Sequence, residues 1–233
     1  MVFQFSSFLA PGSLLFVVGG YITGTTATTE LIDLSRRGLN CSAPSPYPLQ
    51  VHCASGMISA EGNPISCGGA NYEHDPRECH EYRPDNDAWM PTQGLLEDRC
   101  YAAVAKLEGA QYWIAGGFYQ PGKTELYGDT QSTGPIISTS AYSESPCAVT
   151  ISDTEVLYVG ERSYVFNPED STLTQTSSQP FETASGRVCG LAVKSNGEKM
   201  VVVTGGYSGT TRAYPVAVQI YTVQPIDPAV AHG

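Results

Sequence analysis

Five short apolar runs recur along the chain, and each ends in one or two glycines. The glycines stand at Gly19-Gly20, Gly68-Gly69, Gly116-Gly117, the single Gly160, and Gly205-Gly206. Counted from the first glycine of each run, the steps are 49, 48, 44 and 45 residues. Such even spacing indicates one structural unit repeated through nearly the whole sequence.

Each run has the properties of a buried strand. A stretch such as Leu15–Val18 is too short for a helix, is rich in β-branched and aromatic residues, and is bounded by glycine. The glycines permit positive φ and let a neighbouring backbone approach closely. A period of about 40–50 residues built from short strands predicts an all-β propeller, in which small sheets fan around an axis.

Aromatic residues flank a turn in the second repeat. Tyr82 and Trp89 lie seven residues apart, on either side of Pro84-Asp85-Asn86-Asp87. Turn residues of this kind favour a tight reversal, so the two aromatic side chains are predicted to face each other on adjacent antiparallel strands. Phe166 and Leu173 repeat this spacing around 167–170.

The order of these features resembles the kelch repeat family: an apolar run, Gly-Gly, a variable loop, Tyr, a turn and then Trp. The resemblance covers about Leu14 to Val223; the third and fifth repeats lack the closing Trp, and the fourth lacks one glycine. It implies one kelch-type propeller over 1–233 with about five four-stranded blades. The expected blades span 11–51, 52–98, 99–144, 145–186 and 187–233.

The two ends of the repeat array look incomplete. The first blade has no obvious first strand and the fifth has no obvious fourth, which leaves about four and a half blades. An open ring would expose the apolar faces of its terminal blades. Either the termini share strands to close a five-bladed ring, or the chain is part of a longer propeller; we favour the second interpretation.

Charge and hydropathy exclude several classes of partner. The formal net charge is −11, and the 12 Lys and Arg residues form no run. Because phosphate backbones are bound by clustered cations, nucleic acid and anionic membranes are not expected partners. No apolar run approaches the ~18 residues of a membrane span. Residues 1–20 lack the basic region of a signal peptide, and we favour a strand there.

Seven cysteines are present, an odd number. Cys67 and Cys79 are predicted on adjacent strands of one blade, and we expect a disulfide contributing about 3 kcal/mol, with two buried thiols as the alternative. Four others recur at steps of 47, 47 and 42 residues and are interpreted as small buried side chains near the axis: Cys53, Cys100, Cys147 and Cys189. Their pairing and that of Cys41 stay open.

Two features favour an extracellular or secreted protein over a cytoplasmic one. Asn40-Cys41-Ser42 matches the acceptor pattern for N-glycosylation at Asn40. The expected Cys67–Cys79 bridge is typical of oxidising compartments. In addition, a Cys-Gly-Gly strand paired with a Cys in the next strand resembles extracellular invertebrate kelch proteins.

One face of the predicted propeller gathers the loops that follow the glycines and the entries to the innermost strands. Tyr and Arg dominate the energetics of protein interfaces. We therefore predict a binding face for a protein or peptide ligand, with glycan stacking on the same aromatics as the alternative. Its predicted contact residues are Tyr21, His52, Tyr72, His74, Arg99, Tyr119, Arg187, Tyr207 and Arg212.

An enzyme is the less favoured interpretation. Some kelch-fold proteins are copper radical oxidases, which use two Tyr, two His and a Cys, but this chain has only four histidines. His74-Asp75 and Cys79-His80 could hold a metal, although Cys79 is better used opposite Cys67. No catalytic residue, metal or cofactor is therefore predicted.

Overall fold

The computed structural model describes residues 6–10, 12–21, 23–35, 40–70, 75–138, 145–176, 184–208 and 218–222. These residues form five antiparallel sheets and one short 3-10 turn at Pro84–Asn86, so the all-β prediction is confirmed. Four sheets have four strands each and are called blades 1 to 4. The fifth sheet has three described strands.

In every sheet, strands that are consecutive in sequence are neighbours. Blade 1 comprises β1 Ser6–Ala10, β2 Leu14–Val18, β3 Thr29–Asp33 and β4 Asn40–Ser42, and blade 2 comprises β5 Ser55–Ile58, β6 Pro64–Cys67, β7 Cys79–Arg83 and β8 Ala88–Pro91. Blade 3 comprises β9 Ala103–Lys106, β10 Tyr112–Ala115, β11 Thr124–Tyr127 and β12 Ser132–Thr133, and blade 4 comprises β13 Cys147–Ser152, β14 Glu155–Val159, β15 Ser163–Asn167 and β16 Thr172–Gln175. The fifth sheet comprises β17 Ala184–Val193, β18 Lys199–Ser208 and β19 Val218–Thr222.

The first strand of each sheet contacts the first strand of the next: β1 with β5, β5 with β9, β9 with β13, and β13 with β17. The first strands therefore lie innermost and the sheets fan around them, which is the arrangement of a β-propeller.

Two details of the strand prediction are wrong. The described residues form four four-stranded blades rather than about five. Their last sheet has three strands, in which β17 and β18 have ten residues each and β18 continues through Gly205-Gly206. The first blade does have a first strand, β1, which precedes the predicted bound at residue 11. Its Phe8 stacks on Phe16 with ring centroids 5.9 Å apart. Sequence reasoning missed β1 because it is short and carries two serines.

Apolar side chains fill the seams between blades. Between blades 1 and 2, Phe16 packs against Tyr82 with ring centroids 5.5 Å apart. Between blades 3 and 4, Trp113 stacks on Phe166 at 4.7 Å. The prediction that Tyr82 and Trp89 face each other is confirmed by their register on β7 and β8. Phe166 and Leu173 are paired in the same way.

The diglycines stand where one blade meets the entry of the next. Gly68 and Gly69 have φ of +69° and +101°, and the Gly69 N–H donates to the carbonyl of Arg99 at 2.8 Å. A Cβ atom at Gly68 would lie 2.6 Å from that carbonyl oxygen. A side chain there would therefore push adjacent blades apart, and Gly19 approaches the Val51 carbonyl at the entry to blade 2 in the same way.

Three disulfides cross-link the propeller. The predicted Cys67–Cys79 bridge is present, with the two residues opposite each other on β6 and β7 and Cα atoms 4.1 Å apart. Cys53, Cys100 and Cys147 are buried, as predicted. The pairing that the sequence left open is Cys53–Cys100 and Cys147–Cys189, and each of these bonds joins neighbouring sheets. Cys41 is free and exposed.

Candidate ligand-binding face

An aromatic row lies on the face where strands β2, β6 and β10 end in their diglycines, called here the diglycine face. The ring of His52 lies between two tyrosines, with centroids 5.8 Å from Tyr21 and 6.3 Å from Tyr101. The three residues come from blade 1 and from the entries to blades 2 and 3. The structure thus brings the predicted Tyr21 and His52 together and adds Tyr101.

Hydrogen bonds between blades and within blade 2 hold the backbone of this row. The Gly20 N–H donates to the Val51 carbonyl at 2.8 Å, and the Ala70 N–H donates to the His52 carbonyl at 3.0 Å. The Tyr101 N–H donates to the Cys53 carbonyl at 3.0 Å, beside the Cys53–Cys100 disulfide. The aromatic side chains therefore project from a cross-linked backbone, which lowers the ordering cost of binding a ligand.

A second aromatic pair continues the face into blade 3. Phe118 and the predicted Tyr119 follow the third diglycine and have ring centroids 5.5 Å apart. They are 42% and 39% exposed, and Tyr21 is 43% exposed. The Phe118 N–H donates to the Cys100 carbonyl at 2.8 Å, so this loop is anchored next to the same disulfide. We define the aromatic face as Tyr21, His52, Tyr101, Phe118 and Tyr119.

Burial governs the charge of the central imidazole. It lowers the pKa of His52, and the neighbouring Ala70 backbone partly offsets this effect. At neutral pH the ring is therefore uncharged. An uncharged ring between two tyrosines makes the centre of the aromatic face amphipathic rather than cationic.

Arg99 does not offer its side chain to a partner, contrary to its place among the predicted contact residues. It is wholly buried, and its Nε lies 2.9 Å from Oε1 of Glu125. Its Nη1 donates to the carbonyls of Gly116 at 2.8 Å and Lys123 at 2.9 Å. The arginine thus turns inward and holds the loop that carries the second aromatic pair.

The exposed cations near the aromatic face are paired with carboxylates. Arg77 contacts Asp75 at 2.6 Å and Asp98 at 3.5 Å. Lys123 contacts Glu97 at 2.7 Å. These pairs are half-exposed and contribute little to stability, and in each of them a carboxylate offsets the positive charge of the cation.

The remaining predicted residues divide into two groups. Tyr72, His74 and Arg212 lie outside the described residues. For Arg187, Tyr207 and Asn40 only the backbone is described: Arg187 lies opposite Gly205 and Tyr207 opposite Ser185, on β17 and β18, and Asn40 begins the outer strand of blade 1. Sequence reasoning placed Tyr207 in a loop, whereas β18 continues to Ser208.

An open groove of about 510 Å³ lies beside the face in blade 2. Its lining includes Arg77, His80 and Leu95. Of the metal cluster considered from the sequence, Cys79 is bonded to Cys67 and His80 is buried, with its Nδ1 3.3 Å from the Tyr47 hydroxyl. These two positions are therefore committed to the interior of the blade.

Fold and face together define a β-propeller whose sheets are cross-linked and whose diglycine face carries exposed aromatics. No family model matches the chain. No curated protein matches it. Among solved structures, 397 chains match. One is entitled "Structure of YjhT", with a TM-score of 0.74 and 8% identity over 97% of this chain and 84% of that chain. At this identity the likeness shows the fold alone.

In the described residues, no helix is long and apolar enough to cross a membrane.

Proposed function

We propose that the protein is a non-catalytic binding module of kelch type, and that its aromatic face binds a protein or peptide segment. The observation that carries the proposal is the exposed aromatic set on a cross-linked backbone. Tyrosine supplies a large contact area at a small cost in side-chain entropy, and it is enriched at binding hot spots.

The half-exposed rings support a ligand that lies across the face. Tyr21, Phe118 and Tyr119 each leave about two fifths of their surface free. Tyr21 and Tyr119 come from blades 1 and 3, with His52 at the entry to blade 2 between them. A ligand touching all of them would span several blades, as an extended peptide or a protein loop can.

Display of a random peptide library against the oxidised protein tests this proposal. Selected peptides should lose affinity by about tenfold or more with Tyr21→Ala or Tyr119→Ala, because each substitution removes a hot-spot ring. Met90→Ala is the matched control, since Met90 is exposed but lies on the outer strand of blade 2. A failure to select any peptide, or peptides that bind all three variants equally, would contradict the proposal.

Glycan binding is the alternative that the same rings favour, because sugars stack on aromatic faces. A glycan array probed with wild type and Tyr21→Ala separates the two. Binding to sugars that depends on Tyr21, with no selected peptide, would replace the peptide proposal. The copper-oxidase alternative predicts copper-dependent release of hydrogen peroxide, which the binding proposal does not.

We also propose an extracellular location. Three disulfides are typical of an oxidising compartment, and the acceptor asparagine is the first residue of β4, the edge strand of blade 1. Expression in a secreting eukaryotic cell should give a glycosylated protein whose mass shift is lost with Asn40→Gln. A wild-type protein without glycan would remove the support that the acceptor pattern gives to this location.

A further inference from the structure

Three side chains with metal-ligating atoms converge beneath the aromatic face. An imidazole nitrogen of His52 and the sulfurs of Cys53 and Cys100 all lie within 4.8 Å of one another. The two cysteines are almost fully buried, and His52 is only partly exposed above them. In the oxidised protein the sulfurs are bonded to each other and cannot act as thiolate ligands.

Hydrogen bonds hold the backbone of each of the three residues independently of the disulfide. The carbonyls of His52, Cys53 and Cys100 accept from the N–H groups of Ala70, Tyr101 and Phe118 at 3.0, 3.0 and 2.8 Å. Two of these bonds lie within a blade, Ala70 to His52 in blade 2 and Phe118 to Cys100 in blade 3, and the third joins the two blades. All three are made by backbone groups, so they should persist when the sulfurs separate. The three residues are thus pre-organised by the fold and not by the bridge alone.

The imidazole shows one unmet requirement. The Nδ1 atom of His52 is buried, and no described group makes a hydrogen bond to it. Buried polar atoms are nearly always partnered, so such an atom calls for an explanation. One ring nitrogen of His52 lies within 4.8 Å of both sulfurs. One imidazole and two cysteines are the donor set of Cys₂His zinc sites, which keep a fourth position open.

We propose that reduction of the Cys53–Cys100 disulfide creates a three-ligand site for a thiophilic divalent cation, Zn²⁺, formed by His52 and the two cysteines. A dithiol supplies two electrons and two protons to the disulfide, which becomes two thiols, while the dithiol becomes a disulfide. Zn²⁺ then displaces the two thiol protons and binds both thiolates, and water completes the fourth position.

The geometry permits this change. Zinc–sulfur bonds of about 2.3 Å in a tetrahedral site place two sulfurs about 3.8 Å apart. The Cα atoms of Cys53 and Cys100 are 5.1 Å apart. Rotation of the two side chains is therefore sufficient, and the hydrogen-bonded backbone need not move.

Metal content after reduction under native conditions tests the proposal. The protein is treated with a dithiol, exchanged into Zn²⁺ or Co²⁺ without oxygen, and measured by elemental analysis and by the thiolate-to-cobalt absorption. Reduced wild type should bind about one equivalent more than reduced Cys53→Ser/Cys100→Ser. Cys147→Ser/Cys189→Ser is the matched control and should retain that equivalent, because it removes the other inter-sheet disulfide. The oxidised wild type should not bind metal at this site.

A single variant protects the test against misfolding of the serine pair. His52→Ala retains all the cysteines, so the protein can fold with its disulfides before it is reduced. After reduction, its affinity for the additional metal equivalent should be more than about tenfold lower than that of wild type. Circular dichroism reports whether the propeller survives reduction. The proposal is overturned if reduced wild type and the Cys53/Cys100 variant bind equal amounts, if His52→Ala binds as wild type does, or if reduction unfolds the protein.

Discussion

Arg99 and Glu125 form an ion pair that is completely shielded from water, with Nε 2.9 Å from Oε1 and neither side chain exposed. The second carboxylate oxygen of Glu125 accepts the N–H of Leu96 at 2.7 Å. Arg99 belongs to the entry of blade 3, and Glu125 belongs to β11, the third strand of that blade. The pair therefore holds the segment that joins blades 2 and 3 against the sheet of blade 3. An ion pair in such a place is sensitive to the loss of either partner.

Arg99→Met should reduce the free energy of unfolding by about 3–5 kcal/mol, because it leaves the Glu125 carboxylate buried without its partner. Chemical denaturation measures this change. Arg77→Met is the control, since Arg77 is half-exposed and its ion pairs should be worth less than about 1 kcal/mol. Arg99→Met combined with Glu125→Leu should recover part of the lost stability. A double variant that is less stable than Arg99→Met alone would contradict this account.

Gly68→Ala should destabilise the protein more than Gly109→Ala. Both glycines have nearly the same φ, +69° and +65°, so both substitutions carry the strain of a left-handed residue, about 1–2 kcal/mol. Only at Gly68 would the new Cβ also meet a backbone atom, the Arg99 oxygen at 2.6 Å, whereas nothing lies within 4 Å at Gly109. Unfolding midpoints for the two variants measure the cost of the close approach; equal losses would show that φ alone matters.

Removal of an inter-blade disulfide should cost more than removal of the one within blade 2. Cys53–Cys100 closes a separation of 47 residues and Cys67–Cys79 one of 12. If a disulfide stabilises by restricting the unfolded chain, loops of these lengths correspond to stabilisations of about 4 and about 3 kcal/mol. Urea unfolding of the two double alanine variants tests the order. The reverse order would indicate that packing around the sulfurs outweighs loop closure.

Asp87 should make stability depend on pH in acid. The Ser45 N–H and the Tyr82 hydroxyl donate to its Oδ1 at 2.8 and 2.7 Å and lower its pKa. Because the pKa is lower in the folded state, the stabilisation is present above the unfolded value near 4 and is lost as pH falls through the folded value. Burial, and then the Asp87 carboxylate, raise the pKa of Tyr82 to about 12, so this donor stays protonated.

The measurement is the free energy of unfolding at pH 6 and pH 3. Wild type should lose more stability than Asp87→Asn between these values, because the asparagine has no charge to lose. Asp85→Asn removes the same charge from the same turn and should behave as wild type does. An equal acid loss in wild type and Asp87→Asn would assign the effect to other carboxylates.

Local patterns predicted the parts of the fold that depend on neighbouring residues. The pairing of Tyr82 with Trp89 is visible in sequence because one turn determines it. The diglycine period is visible because blades 1 and 2 repeat the same close approach, of Gly19 to the Val51 carbonyl and of Gly68 to the Arg99 carbonyl. In contrast, the pairing of Cys53 with Cys100 joins two blade entries 47 residues apart, and a repeat length alone does not say which entries bond.

The candidate site was predictable only in part. Tyr21, His52 and Tyr119 follow from their position beside diglycines and strand entries. Tyr101 was missed because it follows Cys100, whereas His52 precedes Cys53. The signal that could have found it is an aromatic residue on either side of the recurring cysteine. Arg99 could not be assigned correctly, because the direction of its side chain depends on Glu125, which is 26 residues further along the chain, on the third strand of blade 3.

The disulfides between sheets have a consequence for proteolysis. Blade 2 is bonded to blade 3 through Cys53–Cys100, and blade 4 to the fifth sheet through Cys147–Cys189. A protease that cuts after β8 and before Cys100 therefore leaves both fragments in one covalent molecule. Such damaged protein would keep its full mass on a gel until a reductant is added, and its blades could remain in place with the main chain broken.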